Sequence, residues 1–203
     1  MPRSADAELL ADWCTEIEAD PTRIRTRFPA AAREIGRTPG TSPEPGAERV
    51  EDDVRVRLLV ALGRGLAGDA DALSAEVHDL YRFGDADERR AVLLGLGLLS
   101  DEVGDRAVDL LHDALRTNDP RLVAAAMGTY AARLDDAMWR QAVLKCLFIG
   151  VPLRLVAGLE SRVDDELCRM VTDYAAERRA AGREVPADAL PFLPTPTQTS
   201  RES

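Results

Sequence analysis

Apolar residues recur every three or four positions along most of this sequence, and that spacing constrains the fold more than any other feature. No stretch alternates apolar and polar residues for long enough to predict a β-strand. The sequence therefore predicts an all-α protein. We expect its helices to pack as stacked helical hairpins, in an α-solenoid or HEAT-like array, or as an irregular helical bundle.

The predicted helix starts repeat at a regular distance. Asp85 with Glu88 three residues later forms a capping box, and Asp119 followed by Pro120 supplies an N-cap and a first helical residue. Asp85 and Asp119 lie 34 residues apart, each start is followed by a second predicted helix, and residues 48–83 fit the same stride. That stride is typical of stacked helix pairs and favours the array.

Helix limits elsewhere follow from caps and helix-breaking residues. Pro21 closes the first predicted helix, and residues 102–117 are expected to form one continuous helix. Asp135 or Asp136 is predicted to cap a later helix that ends at Gly150, and the last helix is predicted over 165–181, with Gly182 after it.

We expect one domain over residues 1–190, with a mobile loop at 38–47 and a disordered tail at 191–203. The loop and the tail are rich in proline and small polar residues and offer almost no apolar surface to bury. The arginine-rich segment 23–37 is predicted to be a solvated loop that pairs with acidic residues, with an anion-binding segment as the alternative.

Composition excludes several functional classes. A net charge of −10 argues against a nucleic-acid partner, which requires a dense basic surface. The three cysteines are an odd number within apolar helical patterns, so we expect free thiols. Neither a signal peptide nor a transmembrane segment is predicted, and we expect a soluble, cytoplasmic protein. Two isolated histidines predict no metal site, and no motif predicts a cofactor.

Lys145 is the one lysine among 26 basic residues, the others being arginine. It lies in a helix that is apolar on both faces, and this pattern predicts a buried helix. A buried ammonium group requires a carboxylate, a bound anion or loss of its proton. We expect a carboxylate from the last helix, Asp173 before Glu177. The alternative is a lysine whose stem packs while its ammonium reaches water.

A candidate ligand site is assembled around Lys145 from polar and aromatic residues of the C-terminal half. Arg178 belongs to it because it falls on the packing face of the last helix, where a charge needs a partner. The candidate residues are Arg116, Asn118, Trp139, Gln141, Lys145, Arg162, Asp173, Tyr174 and Arg178.

Four segments of this half carry a resemblance to a known family. They are Arg116–Ala132, Trp139–Leu153, Gly158–Arg162 and Met170–Arg183. The run WRQAVLKCLFIGVPL in the second segment resembles the central motif of the EboA family. The chain departs from the family at Ala176 and Arg179, where members often carry a histidine and a tryptophan.

The resemblance implies a pathway context more than a reaction. Similar proteins are encoded beside a membrane prenyltransferase, a metal-dependent hydrolase, a dehydroquinate-synthase-like enzyme and a sugar-isomerase-like barrel. That set implies secondary-metabolite biosynthesis, with a prenylated, cyclitol-like product.

Three functional hypotheses follow for this chain. The first is an accessory protein that binds a small polar or phosphorylated metabolite. The second is an enzyme that uses Lys145 as an acid, a base or an imine-forming amine. The third is a helical scaffold that recruits pathway enzymes such as the prenyltransferase. An enclosed pocket ending at Lys145 favours the first two, and an open groove favours the scaffold.

Overall fold

The computed structural model of the protein describes residues 4–38 and 44–194, and within these residues every regular element is a helix. The first six helices are α1 (Ser4–Ala19), α2 (Ile24–Glu34), α3 (Val50–Gly65), α4 (Ala70–Phe83), α5 (Ala86–Leu96) and α6 (Ser100–Val103). The others are α7 (Val108–Arg116), α8 (Pro120–Ala126), α9 (Asp136–Ile149), α10 (Leu159–Arg162) and α11 (Asp165–Ala180). Short 3₁₀ turns lie at Pro21–Arg23, Thr129–Arg133, Leu153–Leu155 and Ala187–Phe192. The predicted all-α fold is confirmed.

Local capping residues set several of these helix limits. The Asp85 side chain accepts a hydrogen bond from the Glu88 backbone N–H, and the Glu88 carboxylate accepts one from the Asp85 backbone N–H. This is the predicted capping box. The Asp135 side chain caps α9 by accepting a hydrogen bond from the Met138 backbone N–H, and Gly150 ends that helix in the left-handed conformation at φ 78°.

Two predicted elements differ from the structure. The continuous helix expected over 102–117 is wrong, because Gly104 adopts φ 61° and separates α6 from α7. The loop expected over 23–37 is also wrong, because most of that segment forms α2. Two of its arginines pair with carboxylates of other helices. Arg25 contacts Glu76, and Arg27 contacts Glu16.

Helix α3 lies at the centre of the N-terminal half and packs against α1, α2 and α5. Helix α5 in turn packs against α4 and α8, and α9 packs against α8 and α11. Buried side chains from all of these helices form one continuous apolar core. Each helix buries its apolar face against neighbouring helices of this series. Because α9 and α11 come last in the series, they lie at one end of the fold.

The predicted loop and tail lie partly outside the described residues, namely at 39–43 and 195–203. The ends of the loop make defined contacts. The Thr38 backbone N–H donates to Glu51, and the Ala47 carbonyl accepts from Arg90 at 2.9 Å. Phe192 and Leu193, at the start of the tail, pack against the core. All three cysteines are free thiols, as predicted.

Candidate functional site

Helix α9 has one buried face and one accessible face. The buried face carries Trp139, Ala142, Val143, Cys146 and Leu147. On the other side Phe148 is 71% exposed and Lys145 is only partly covered. The prediction that this helix is buried on both faces, with Lys145 in the protein interior, is therefore wrong. Helix α11 lies beside the accessible face and covers only part of it.

The uncovered space between α9 and α11 forms an open groove of about 440 Å³. Its lining residues are Gln141, Leu144, Lys145, Phe148, Met170, Asp173, Tyr174 and Glu177. A second concavity of about 380 Å³ continues along the same two helices and shares Gln141 and Met170 with the first. Four of the predicted site residues, Gln141, Lys145, Asp173 and Tyr174, thus come together in this α9–α11 groove.

Lys145 makes one hydrogen bond, in which its Nζ donates to the side-chain oxygen of Asn118 at 3.5 Å. That contact brings Asn118, a fifth predicted residue, to the edge of the groove. The expected ion pair with Asp173 is not formed, because Arg169 takes the Asp173 carboxylate at 2.7 Å. Arg169 lies one turn before Asp173 on the same helix, so this local pair forms on the exposed surface.

The groove has both a polar and an apolar part. Leu144, Phe148 and Met170 supply apolar surface, and Lys145 and Gln141 supply hydrogen-bond donors. The Tyr174 hydroxyl donates to the Leu147 carbonyl at 3.2 Å, so its oxygen remains able to accept. This arrangement presents an amphipathic surface.

Arg178 lies outside the groove lining. Its guanidinium lies 5.7 Å from the Tyr174 ring centroid, and its Nε donates to the Glu184 carbonyl. Arg178 therefore orients Tyr174 and holds the segment that follows α11.

Three other predicted residues also lie away from the groove. Trp139 is 1% exposed, and the Arg162 guanidinium lies 4.7 Å from its ring centroid. Arg162 also donates to the carbonyls of Ala131 and Leu134. This pair stabilises the entry into α9 and does not form a binding surface. Arg116 is exposed in the last turn of α7, two residues before Asn118.

The sequence reasoning missed a cluster of buried charges between α3 and α5. Asp52 and Arg90 form an ion pair, and each is 4% exposed. Arg55 pairs with Glu88 at 3.5 Å and donates to the Phe28 carbonyl. Helical spacing could have indicated this cluster, because it places the charged residue Arg55 on the same helix face as the apolar residues Val54 and Leu58.

Within residues 4–38 and 44–194, no group of three or more His, Cys, Asp or Glu side chains is placed to hold a metal ion. Burial raises the pKa of the Cys146 thiol to about 12, so this sulfur next to Lys145 stays protonated and unreactive at neutral pH. Over the same residues, no helix is long and apolar enough to cross a membrane.

Fold and groove together define an all-α protein that presents an open amphipathic surface at one end. A family model described as "Metabolite traffic protein EboA" matches residues 31–195, and the chain belongs to the EboA family. The matched region includes both α9 and α11. Neither a curated protein nor a solved structure matches the chain. Family membership supports an accessory role related to a metabolite.

Proposed function

We propose that this protein binds an uncharged, amphipathic metabolite in the α9–α11 groove and passes it between partners. The observation that carries the proposal is the exposure of Phe148 and other apolar side chains directly beside Lys145 and Gln141. An exposed aromatic residue next to a small polar cluster is typical of a surface that contacts another molecule.

The charges of the groove favour a hydroxyl-bearing head group over a phosphate. Lys145 is the one cationic residue in the groove lining, and two carboxylates, Asp173 and Glu177, line the same groove. A phosphate accepts hydrogen bonds only, so it would meet the Glu177 carboxylate as a like charge, and Asp173, which is paired with Arg169, offers it no donor. A hydroxyl donates to a carboxylate and accepts from an ammonium or an amide. A polar metabolite therefore fits the α9–α11 groove better than a phosphorylated one.

The apolar part of the groove fits an aliphatic tail. Leu144, Phe148 and Met170 line it, and burying a single phenylalanine side chain contributes about 1.5–3 kcal/mol. We therefore propose that the ligand is the prenylated, cyclitol-like compound that the family context implies. In this proposal the ring hydroxyls contact Lys145 and Gln141, and the prenyl chain lies along Phe148.

The open shape of the groove suits transfer more than catalysis. Lys145 is partly exposed and hydrogen-bonded to Asn118, so the deep burial that the enzyme hypothesis requires is missing. The scaffold hypothesis gains from the same openness, because Phe148 is accessible to a protein surface as well as to a ligand. We accordingly keep one second candidate, in which the groove docks a pathway enzyme.

The cellular setting belongs to the same proposal. We place the protein in the cytoplasm, where it would collect its ligand from a membrane prenyltransferase of a secondary-metabolite pathway. Its packed pairs of consecutive helices, such as α4 with α5 and α8 with α9, support a helical-repeat architecture.

Binding of simple amphiphiles tests the proposal. Octyl glucoside, an uncharged polyol with an apolar tail, is titrated below its micelle concentration and compared with octyl phosphate. We expect octyl glucoside to bind more tightly, and Phe148→Ser to weaken its binding about tenfold or more. Phe83→Ser is the matched control, because Phe83 is 77% exposed on another helix and lies outside the groove.

Two outcomes contradict the proposal. Equal loss of binding in Phe148→Ser and Phe83→Ser would place the amphiphile elsewhere or make its binding non-specific. Tighter binding of octyl phosphate would show that the groove selects anions. If neither amphiphile binds while a pathway enzyme is captured by wild type and not by Phe148→Ser, the scaffold candidate is correct.

A further inference from the structure

A separate cleft, of about 650 Å³, lies against α1, α3 and α5 and shares no lining residue with the α9–α11 groove or with the second concavity beside α9. Its apolar walls come from Leu10, Ile35, Val54, Val56 and Leu94. Its lining also contains the buried ion pair of Asp52 and Arg90, and its other charged residues are Asp6, Glu48, Arg49, Asp53 and Arg57. A cleft with apolar walls and a few converging polar groups is the usual form of a small-molecule site.

The ion pair is costly for the protein alone. Removing two charges from water costs several kcal/mol for each ion, and well-packed apolar residues in their place are often as stable or more so. Arg90 also donates to the Ala47 carbonyl. Apart from Asp52 Oδ2 and Arg90 Nη1, which contact each other in the ion pair, two polar atoms of the pair, Asp52 Oδ1 and Arg90 Nε, have no hydrogen-bond partner among the described residues. A contribution to folding stability alone does not explain why the protein has a buried ion pair with polar atoms that lack hydrogen bonds.

The surroundings of Arg90 favour an additional negative charge. Burial and, to a smaller extent, the nearby charges of Arg49 and Arg121 together lower the pKa of Arg90 to about 10. At neutral pH the guanidinium is still charged, so an added anionic group would stabilise it. The other member of the ion pair, the Asp52 carboxylate, can accept hydrogen bonds from a positively charged group of a ligand.

We propose that this cleft binds a zwitterion with an apolar side chain, such as an apolar α-amino acid or a related amino-carboxylate. On binding, the ion pair of Asp52 and Arg90 separates and the ligand takes the place of each partner. Its carboxylate contacts Arg90, with Arg49 beside it, and its ammonium contacts Asp52. Its side chain packs on Val56 and Leu94 at the open part of the cleft.

The closest test uses L-leucine and two analogues that each lack one charge. Isocaproate has no ammonium group, and isoamylamine has no carboxylate. We expect L-leucine to raise the thermal midpoint of the full-length protein, and each analogue to bind at least about tenfold more weakly. Equal binding of L-leucine and either analogue would show that the two buried charges do not act together, and would overturn the proposal.

Two variants locate the site without leaving an unpaired buried charge. The double variant D52L/R90M replaces the ion pair by apolar residues of similar size and should remain folded. We expect it to lose the response to L-leucine. Leu94→Ser should weaken binding, whereas Leu98→Ser, which alters an exposed leucine outside the cleft, should not. Retention of the full response in D52L/R90M, or no response to L-leucine in the wild-type protein, would refute the site.

Discussion

Charged side chains are buried in one region of the molecule and remain accessible in another. Between α3 and α5, Asp52, Arg55 and Arg90 are buried and paired, although the first turn of a helix is ordinarily a solvated place for an acidic residue. Between α9 and α11, Lys145 remains at the surface, although its helix looks buried from its composition. The difference shows that burial of a charge depends on which helices cover it, and not on how apolar its own helix is.

Substitution of Arg90 is expected to have the largest effect on the free energy of unfolding. Arg90→Met leaves the Asp52 carboxylate buried without a partner, so we expect a loss of about 3–5 kcal/mol in the free energy of unfolding. Urea denaturation measures it. The double variant D52L/R90M should recover most of that loss. If Arg90→Met is no more destabilising than Lys145→Met, the two regions do not differ as described.

The limits of most helices were predictable because their determinants are local. The capping box of Asp85 and the left-handed Gly150 each act within a few residues of the helix end. The break at Gly104 was missed, because glycine permits the turn without requiring it. Helix α2 was missed because Arg25 and Arg27 pair with carboxylates of other helices, Glu76 on α4 and Glu16 on α1, and helical spacing within the segment does not show these partners.

The candidate site was predictable only in part, for a similar reason. Helical spacing placed Gln141, Lys145 and Phe148 on one face, and that face does line the groove. The spacing could not show that α11 covers this face incompletely. Nor could it pair Asp52 with Arg90, which lies on a different helix.

Arg162 provides an intermediate effect in the C-terminal region. Arg162→Ala removes two hydrogen bonds to backbone carbonyls and the contact with the Trp139 ring. We expect a loss of about 2 kcal/mol in the free energy of unfolding, because hydrogen bonds to a charged group exceed those between neutral groups. Thermal or urea denaturation measures this change. Arg116→Ala is the matched control, since Arg116 is exposed on α7, and it should change stability by less than about 0.5 kcal/mol.

A smaller effect depends on pH and involves Glu51. Burial alone would raise the pKa of Glu51, but hydrogen bonds from the backbone N–H groups of Thr38 and Glu51 outweigh it and lower the pKa below 4.5. The unfolded chain therefore takes up the proton first as the pH falls, and wild-type stability decreases below about pH 4.5.

The variant Glu51→Gln cannot titrate at this position. Its stability deficit relative to wild type should be largest at pH 6 and should shrink between about pH 5 and pH 3. Urea denaturation at several pH values measures the difference. A deficit that is constant over this range would mean that the Glu51 carboxylate is not stabilised in its charged form.

The smallest expected change in stability is at Lys145. Lys145→Met removes one long hydrogen bond to Asn118 at a partly exposed position, so the free energy of unfolding should stay within about 0.5 kcal/mol of wild type. A loss of about 3 kcal/mol or more would show that Lys145 is paired and buried after all.

The role of the groove is tested most directly by the small molecules that the protein retains. Wild type, Lys145→Met, Phe148→Ser and the control Phe83→Ser are purified from the native host and denatured, and the released compounds are identified by mass spectrometry. We expect wild type and Phe83→Ser to release the same uncharged, hydroxylated amphiphile, and the two groove variants to release little of it while remaining folded. Release of that compound in equal amounts from Phe148→Ser and wild type would contradict a ligand site between α9 and α11.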